Sequence, residues 1–131
     1  MRLWSTSMKW LYALGVVVSS FFITLWAMNY VSPLCPQGEM TALTGPFEKA
    51  GAVSWFAKAP SLAEFSDSSA RSNAVVCEDD LAMGPAHSAH ADIAAKGGGR
   101  FSHWNTGFVF SASDNSDPNK NGRSYSAVRP R

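Results

Sequence analysis

Apolar positions in this chain fall into one long block followed by short, interrupted runs. The block, Leu11 to Val31 (LYALGVVVSSFFITLWAMNYV), holds twenty-one residues without a charge. At ~1.5 Å rise per residue it matches a hydrocarbon core of about 30 Å, so the pattern predicts a single N-terminal transmembrane helix over residues 10–31. Trp10 and Tyr12 mark one end, and Trp26 and Tyr30 the other, as amphipathic rings do at the headgroup region. Arg2 and Lys9 precede the block and no Lys or Arg follows until Lys49, which predicts that residues 1–9 are cytoplasmic and the rest extracytoplasmic. A cleaved signal peptide is the competing reading. The block exceeds the usual apolar region of roughly 7–15 residues, and no A-x-A-like site precedes Ser32-Pro33, so an uncleaved signal-anchor is expected.

Beyond the block the periodicity changes. Residues 32–73 read as a connector, with Pro33, Pro36, Gly38 and Gly45 breaking any regular pattern, a short helix over 46–59, and a Ser-rich loop over 60–73 pinned by Leu62 and Phe65. Residues 74–131 read as a small β-rich domain. Ala74 to Cys77 is a short β run stopped by Glu78-Asp79-Asp80. Pro85, the Ala-rich stretch, Lys96 and Gly97-Gly98-Gly99 are start and stop signals for a helix of two to three turns. In 106–113, Phe108, Phe110 and Ala112 alternate with Val109, Ser111 and Ser113, and with 100–104 they suggest a hairpin that Ser124 to Val128 joins as a third strand. The expected fold class is therefore a transmembrane helix followed by a small α+β, mainly antiparallel β, outer domain.

Such a domain is near the size at which a core needs reinforcement. Cys35 and Cys77 supply a candidate disulfide if the compartment is oxidising; the alternative is two thiols, with Cys77 buried. The formal net charge of +1 leaves no basic field, which argues against nucleic acid as a partner.

Three polar groupings carry candidate chemistry. His87 and His90 are three apart on the expected helix and share a face, so with His103 they form a candidate zinc site, with Asp92 facing elsewhere. From Asp117 the loop with Asn119, Asn121 and Gly122 matches the opening of a calcium loop, but Val128 stands where the bidentate Glu belongs. Finally, Trp104 and Tyr125 lie among Asn105, Asp114, Asn115, Asp117, Asn119, Asn121 and Arg123, a mixture suited to stacking on and hydrogen-bonding a sugar. No nucleophile with an evident base and no phosphate-binding loop stands out. The expectation is a non-catalytic envelope protein without a cofactor, held in the bilayer, that binds a glycan or a membrane-protein partner as an accessory subunit. The rival is a zinc enzyme built on the three histidines.

Overall fold

The computed structural model describes residues 6–28, 32–65, 67 and 71–131. The chain divides into two compact units, Met1–Val31 and Ser32–Arg131. The first contains helix α1, Thr6–Met28. Its described side chains include Trp10, Leu11, Leu14, Val16, Phe22 and Ile23, all exposed. The Ser19 and Ser20 hydroxyls donate back to the Val16 carbonyl at 3.0 and 2.9 Å. Among the described residues no helix is long and apolar enough to cross a membrane. The side chains at 6–9, 13, 21 and 24–28, Trp26 among them, and the whole of Asn29, Tyr30 and Val31 lie outside the described residues.

The second unit is a small α+β domain built from two four-stranded antiparallel sheets. Its strands are β1 (Gly38–Leu43), β2 (Glu48–Lys49), β3 (Trp55–Lys58), β4 (Val75–Glu78), β5 (Leu81–Ala82), β6 (Phe101–Trp104), β7 (Gly107–Phe110) and β8 (Tyr125–Pro130). One sheet has the order β1-β8-β4-β5 and the other β2-β3-β7-β6. The inner faces meet in one apolar cluster: Leu43, Val76, Tyr125 and Ala127 come from the first sheet, and Trp55, Ala57, Phe101, Phe108 and Phe110 from the second. Phe47, between β1 and β2, stands edge-on to Phe110 (5.3 Å) and to Tyr125 (5.6 Å), tying the two sheets together.

Several expected elements differ. Residues 32–73, expected as a connector, supply β1, β2 and β3, so the folded unit begins well before residue 74. The helix expected over 46–59 is instead the β2–β3 hairpin, because pairing with β7 outweighs the local preference of its Ala and Lys residues. Trp55 and Phe56 are adjacent and take opposite faces, with Trp55 in the core. Within 60–73 a short 3-10 turn covers Pro60–Phe65 and buries Leu62, while the Phe65 side chain lies outside the described residues. The expected third strand exists as β8, but it pairs with β1 and β4 rather than β7.

Helix α2 spans only His90–Lys96 and packs across β6 and β7 with Ile93 buried. Gly97 ends it at φ +56, where a Cβ would meet the Asn115 side chain. Cys35 and Cys77 are joined by a disulfide.

Candidate functional site

Strand β6 divides its side chains between two settings, since neighbours along a strand point to opposite faces. Phe101 and His103 face inward, and His103 is stacked on its cross-strand neighbour Phe108 at 4.2 Å. His103 Nδ1 lies 2.7 Å from Ser72 Oγ, which also accepts the Ala74 amide. The organiser beneath this pair is Asp67. Its Oδ1 accepts from Ser72 N at 2.8 Å, its Oδ2 accepts from His103 N at 3.1 Å, and its own amide donates to the His103 carbonyl.

The same Asp67 Oδ1 is 2.8 Å from His87 Nδ1. A carboxylate accepts only, so this contact places the ring proton on Nδ1 and leaves Nε2 of the neutral ring as an acceptor of fixed direction. His87 holds a backbone φ of 54°, in the left-handed region that side chains usually avoid, and its ring remains partly exposed. Asp67 carries no local signal in the sequence, because it lies in a Ser-rich stretch with no periodicity. Its role follows from contacts with residues twenty and thirty-six positions away.

On the outer side of β6, Ser102 is buried and Trp104 is 44% exposed. The His90 ring stands edge-on to Trp104 at 5.3 Å, and its Nε2 is 3.4 Å from Ser102 Oγ. Trp104 pairs with Gly107 across a two-residue turn whose first residue, Asn105, has φ 49°, a conformation Asn tolerates and short hairpins require. Gly107 is needed there for another reason. A Cβ would lie 2.1 Å from the Ala57 carbonyl, so the close β3–β7 approach admits no side chain. Trp104 is thus an exposed ring on a firmly held hairpin.

The loop from Asp114 to Gly122 is organised differently from the expectation. Arg123 bridges Glu78 Oε1 and Asp114 Oδ2, both at 2.7 Å. Glu78 also accepts from Ser113 N and Oγ at 2.9 and 2.6 Å, and Asp114 from Ser116 N and Oγ at 3.1 and 2.6 Å. The Ser116 hydroxyl and the Arg123 guanidinium hold the Asp114 carboxyl far below the usual carboxylate range, and Asp114 in turn raises Arg123. Asn121 Nδ2 donates to Ser116 Oγ and to Tyr125 OH, and burial pushes the Tyr125 phenol up to about 12. Asn119 exchanges two bonds with the Phe47 backbone, Asn115 Oδ1 accepts from Gly98 N, and Asp117 accepts from Asn119 N.

These side chains brace the loop against β4, the β1–β2 connection and the end of α2. Trp104 lies at the opposite end of β7 from the loop, with the ~10 Å length of that strand between them. The structure therefore brings Asp114, Asn121, Arg123 and Tyr125 together, brings Trp104 together with His90, and places Asn105 beside Trp104. It does not join the two groups into one sugar platform.

The zinc arrangement is also revised. Because α2 starts at His90, His87 precedes the helix and the two rings do not share a helical face. His87 Nδ1 turns to Asp67, His90 to Trp104 and Ser102, and His103 into the core. Among the described residues, no group of three or more His, Cys, Asp or Glu side chains is placed to hold a metal ion. The calcium-loop oxygens do not converge either, since Asp117 Oδ1 accepts from Asn119 N, Asn119 Oδ1 from Phe47 N and Asn121 Oδ1 from Arg123 N.

No known protein family, characterised protein or solved structure matches this chain.

Proposed function

We propose that the chain is a single-pass envelope protein in which the apolar stretch at residues 10–31 is a bilayer anchor with a cytoplasmic N-terminus, and the β-sandwich is an outer, non-catalytic glycan-binding module. The observation that carries the binding reading is Trp104, an exposed aromatic face beside the His90 ring on a two-residue hairpin. Sugar C–H faces stack on such rings, and polar groups at the rim orient the hydroxyls. Asn105 is the rim group nearest in sequence. The internally bonded residues from Asp114 to Tyr125 serve as scaffold in this reading.

The anchor rests on the sequence: twenty-one uncharged residues from Leu11 to Val31, with Arg2 and Lys9 on one side only. The Cys35–Cys77 bond supports the outer placement, because disulfides persist in oxidising compartments and are rare in reducing ones.

The test is a glycan array probed with the full chain in detergent, alongside Trp104→Ala. Specific binding lost in Trp104→Ala is the expected result. Equal signals from both proteins would overturn the platform. A blank array with a membrane complex that co-purifies through the same Trp104 face would assign the module to a membrane-protein partner instead, as an accessory subunit.

A further inference from the structure

A sheet edge is a row of unpaired N–H and C=O groups, and proteins blunt such rows with short strands, charged side chains or covering segments. The two sheets of this domain leave four edges, at β1, β5, β2 and β6. Strand β6 is covered: Phe101 N donates to the Pro85 carbonyl, Ser88 N to the Phe101 carbonyl, and Asp67 engages both the amide and the carbonyl of His103. At β5, Ala82 N donates to the Pro33 carbonyl and Leu34 bridges Leu81. Strand β2 is two residues long and both, Glu48 and Lys49, are charged. Strand β1 has none of these devices. Its six residues, GEMTAL, run against β8 without a bulge and include no Lys or Pro. Among the described residues, no backbone bond is made to its far edge.

The groups on that edge follow from the ladder, because successive residues of a strand turn their N–H and C=O to opposite sides. Asp79 N donates to the Ser124 carbonyl one step beyond the β4–β8 register. Ser126 and Val128 therefore bond toward β4, and Tyr125, Ala127 and Arg129 toward β1. Leu43, Thr41 and Glu39 answer them, which leaves Gly38, Met40 and Ala42 with their backbone groups directed away from the sheet. Met40, in the middle of the three, is 67% exposed.

We propose that β1 pairs antiparallel with β1 of a second copy of the chain, about a two-fold axis at Met40, so that two β1-β8-β4-β5 sheets become one. The spacing selects this occupant. With Met40 opposite Met40, Gly38 of each copy lies opposite Ala42 of the other, so every group on the edge is answered, each opposed pair exchanging two bonds. Charge is compatible as well. Glu39, the one charged residue of β1, is already held by Arg129 and lies opposite Thr41 rather than its own counterpart. The contact is isologous and closed, so pairing stops at the dimer. It is independent of what residues 10–31 do and of what Trp104 binds.

The test uses the full chain in detergent, with the protein mass measured by light scattering over a range of concentrations. The mass should rise to twice that of the monomer. Met40→Pro removes an edge N–H without taking one from the β8 ladder, so it should hold the protein monomeric with its dichroism unchanged, while Met40→Ala still pairs. Geometry supplies a second readout that does not depend on the Pro variant folding. Opposed Cα atoms at the axis lie about 5.5 Å apart, within disulfide range, so Met40→Cys should oxidise to a covalent dimer. Ala42→Cys should not, because its counterpart lies about 14 Å along the strand. A monomer at every concentration would overturn the inference. So would a dimer that survives in folded Met40→Pro, which places the contact elsewhere, or equal cross-linking of the two Cys variants.

Discussion

Opening the Cys35–Cys77 bond by reduction removes a cross-link without deleting an atom, so its cost is set by the chain it closes. The two cysteines are 42 positions apart. Restricting a loop of that length lowers the entropy of the unfolded chain by about 13 cal/mol/K, or about 4 kcal/mol at 25 °C. The folded unit Ser32–Arg131 has an expected unfolding entropy of roughly 0.2 kcal/mol/K, so the midpoint should fall by about 20 °C. The assay is thermal unfolding of the full chain in detergent micelles, followed by far-ultraviolet dichroism and by tryptophan fluorescence, to which the buried Trp55 contributes, with and without reductant. Calorimetry separates the terms: the loss should appear as a larger unfolding entropy in the reduced protein. A midpoint unchanged on reduction would refute the reasoning, as would a loss carried entirely by enthalpy. Two thiols that alkylate freely in the unreduced native protein would refute the bond itself.

Glu78, only 7% exposed, anchors Ser113 N, Ser113 Oγ and Arg123, so Glu78→Ala should cost about 3 kcal/mol in urea unfolding, with Glu78→Gln intermediate. A change below about 1 kcal/mol would show that water replaces these bonds. Tyr125 ionises near 10 when unfolded and at about 12 when folded, so the unfolded chain releases the proton first and stability should fall as pH rises through that window. Tyr125→Phe should flatten this dependence. Asp114 has the opposite sign: its depressed folded value adds stability above the ordinary carboxylate range that is lost as pH drops below it, and Asp114→Asn should remove that acid limb. Phe110→Ala, at the aromatic junction of the two sheets, should cost about 3–5 kcal/mol, whereas Trp104→Ala should leave the unfolding midpoint nearly unchanged.

Local pattern disclosed the parts of the fold that local pattern controls. The alternation of Phe108, Phe110 and Ala112 against Val109, Ser111 and Ser113 identified β7 and its inward face, and the glycines after Lys96 identified the end of α2. What escaped depends on distant partners. Gly38–Leu43 carries few strand-forming residues and is a strand because β8 pairs with it residue for residue. At its start Gly38 lies against the Arg129 carbonyl, where a Cβ would sit 2.1 Å away. Pro85 resembles a first helical residue and so points to too early a start for α2, while Ala89, extended at ψ 140°, is the true boundary. That shift of one turn separates His87 from His90 and dissolves the metal site. In the polar loop the residue types suited a ligand or a scaffold equally well. Only the bonds from Arg123 to Glu78, and from Asn119 to Phe47, distinguish the two.

The order of strands in the first sheet has a consequence for how the protein is made. β8 lies between β1 and β4, so the two strands flanking it share no hydrogen bonds of their own. A nascent chain released as far as residue 120 would have both cysteines and both flanking strands available, yet no seam to hold them. Oxidation of Cys35 and Cys77 can therefore precede closure of the sheet, leaving an open clasp that β8 fills. Any event that delays delivery of residues 125–130 leaves the edges of β1 and β4 that face the gap unsatisfied and open to mispairing with a neighbour.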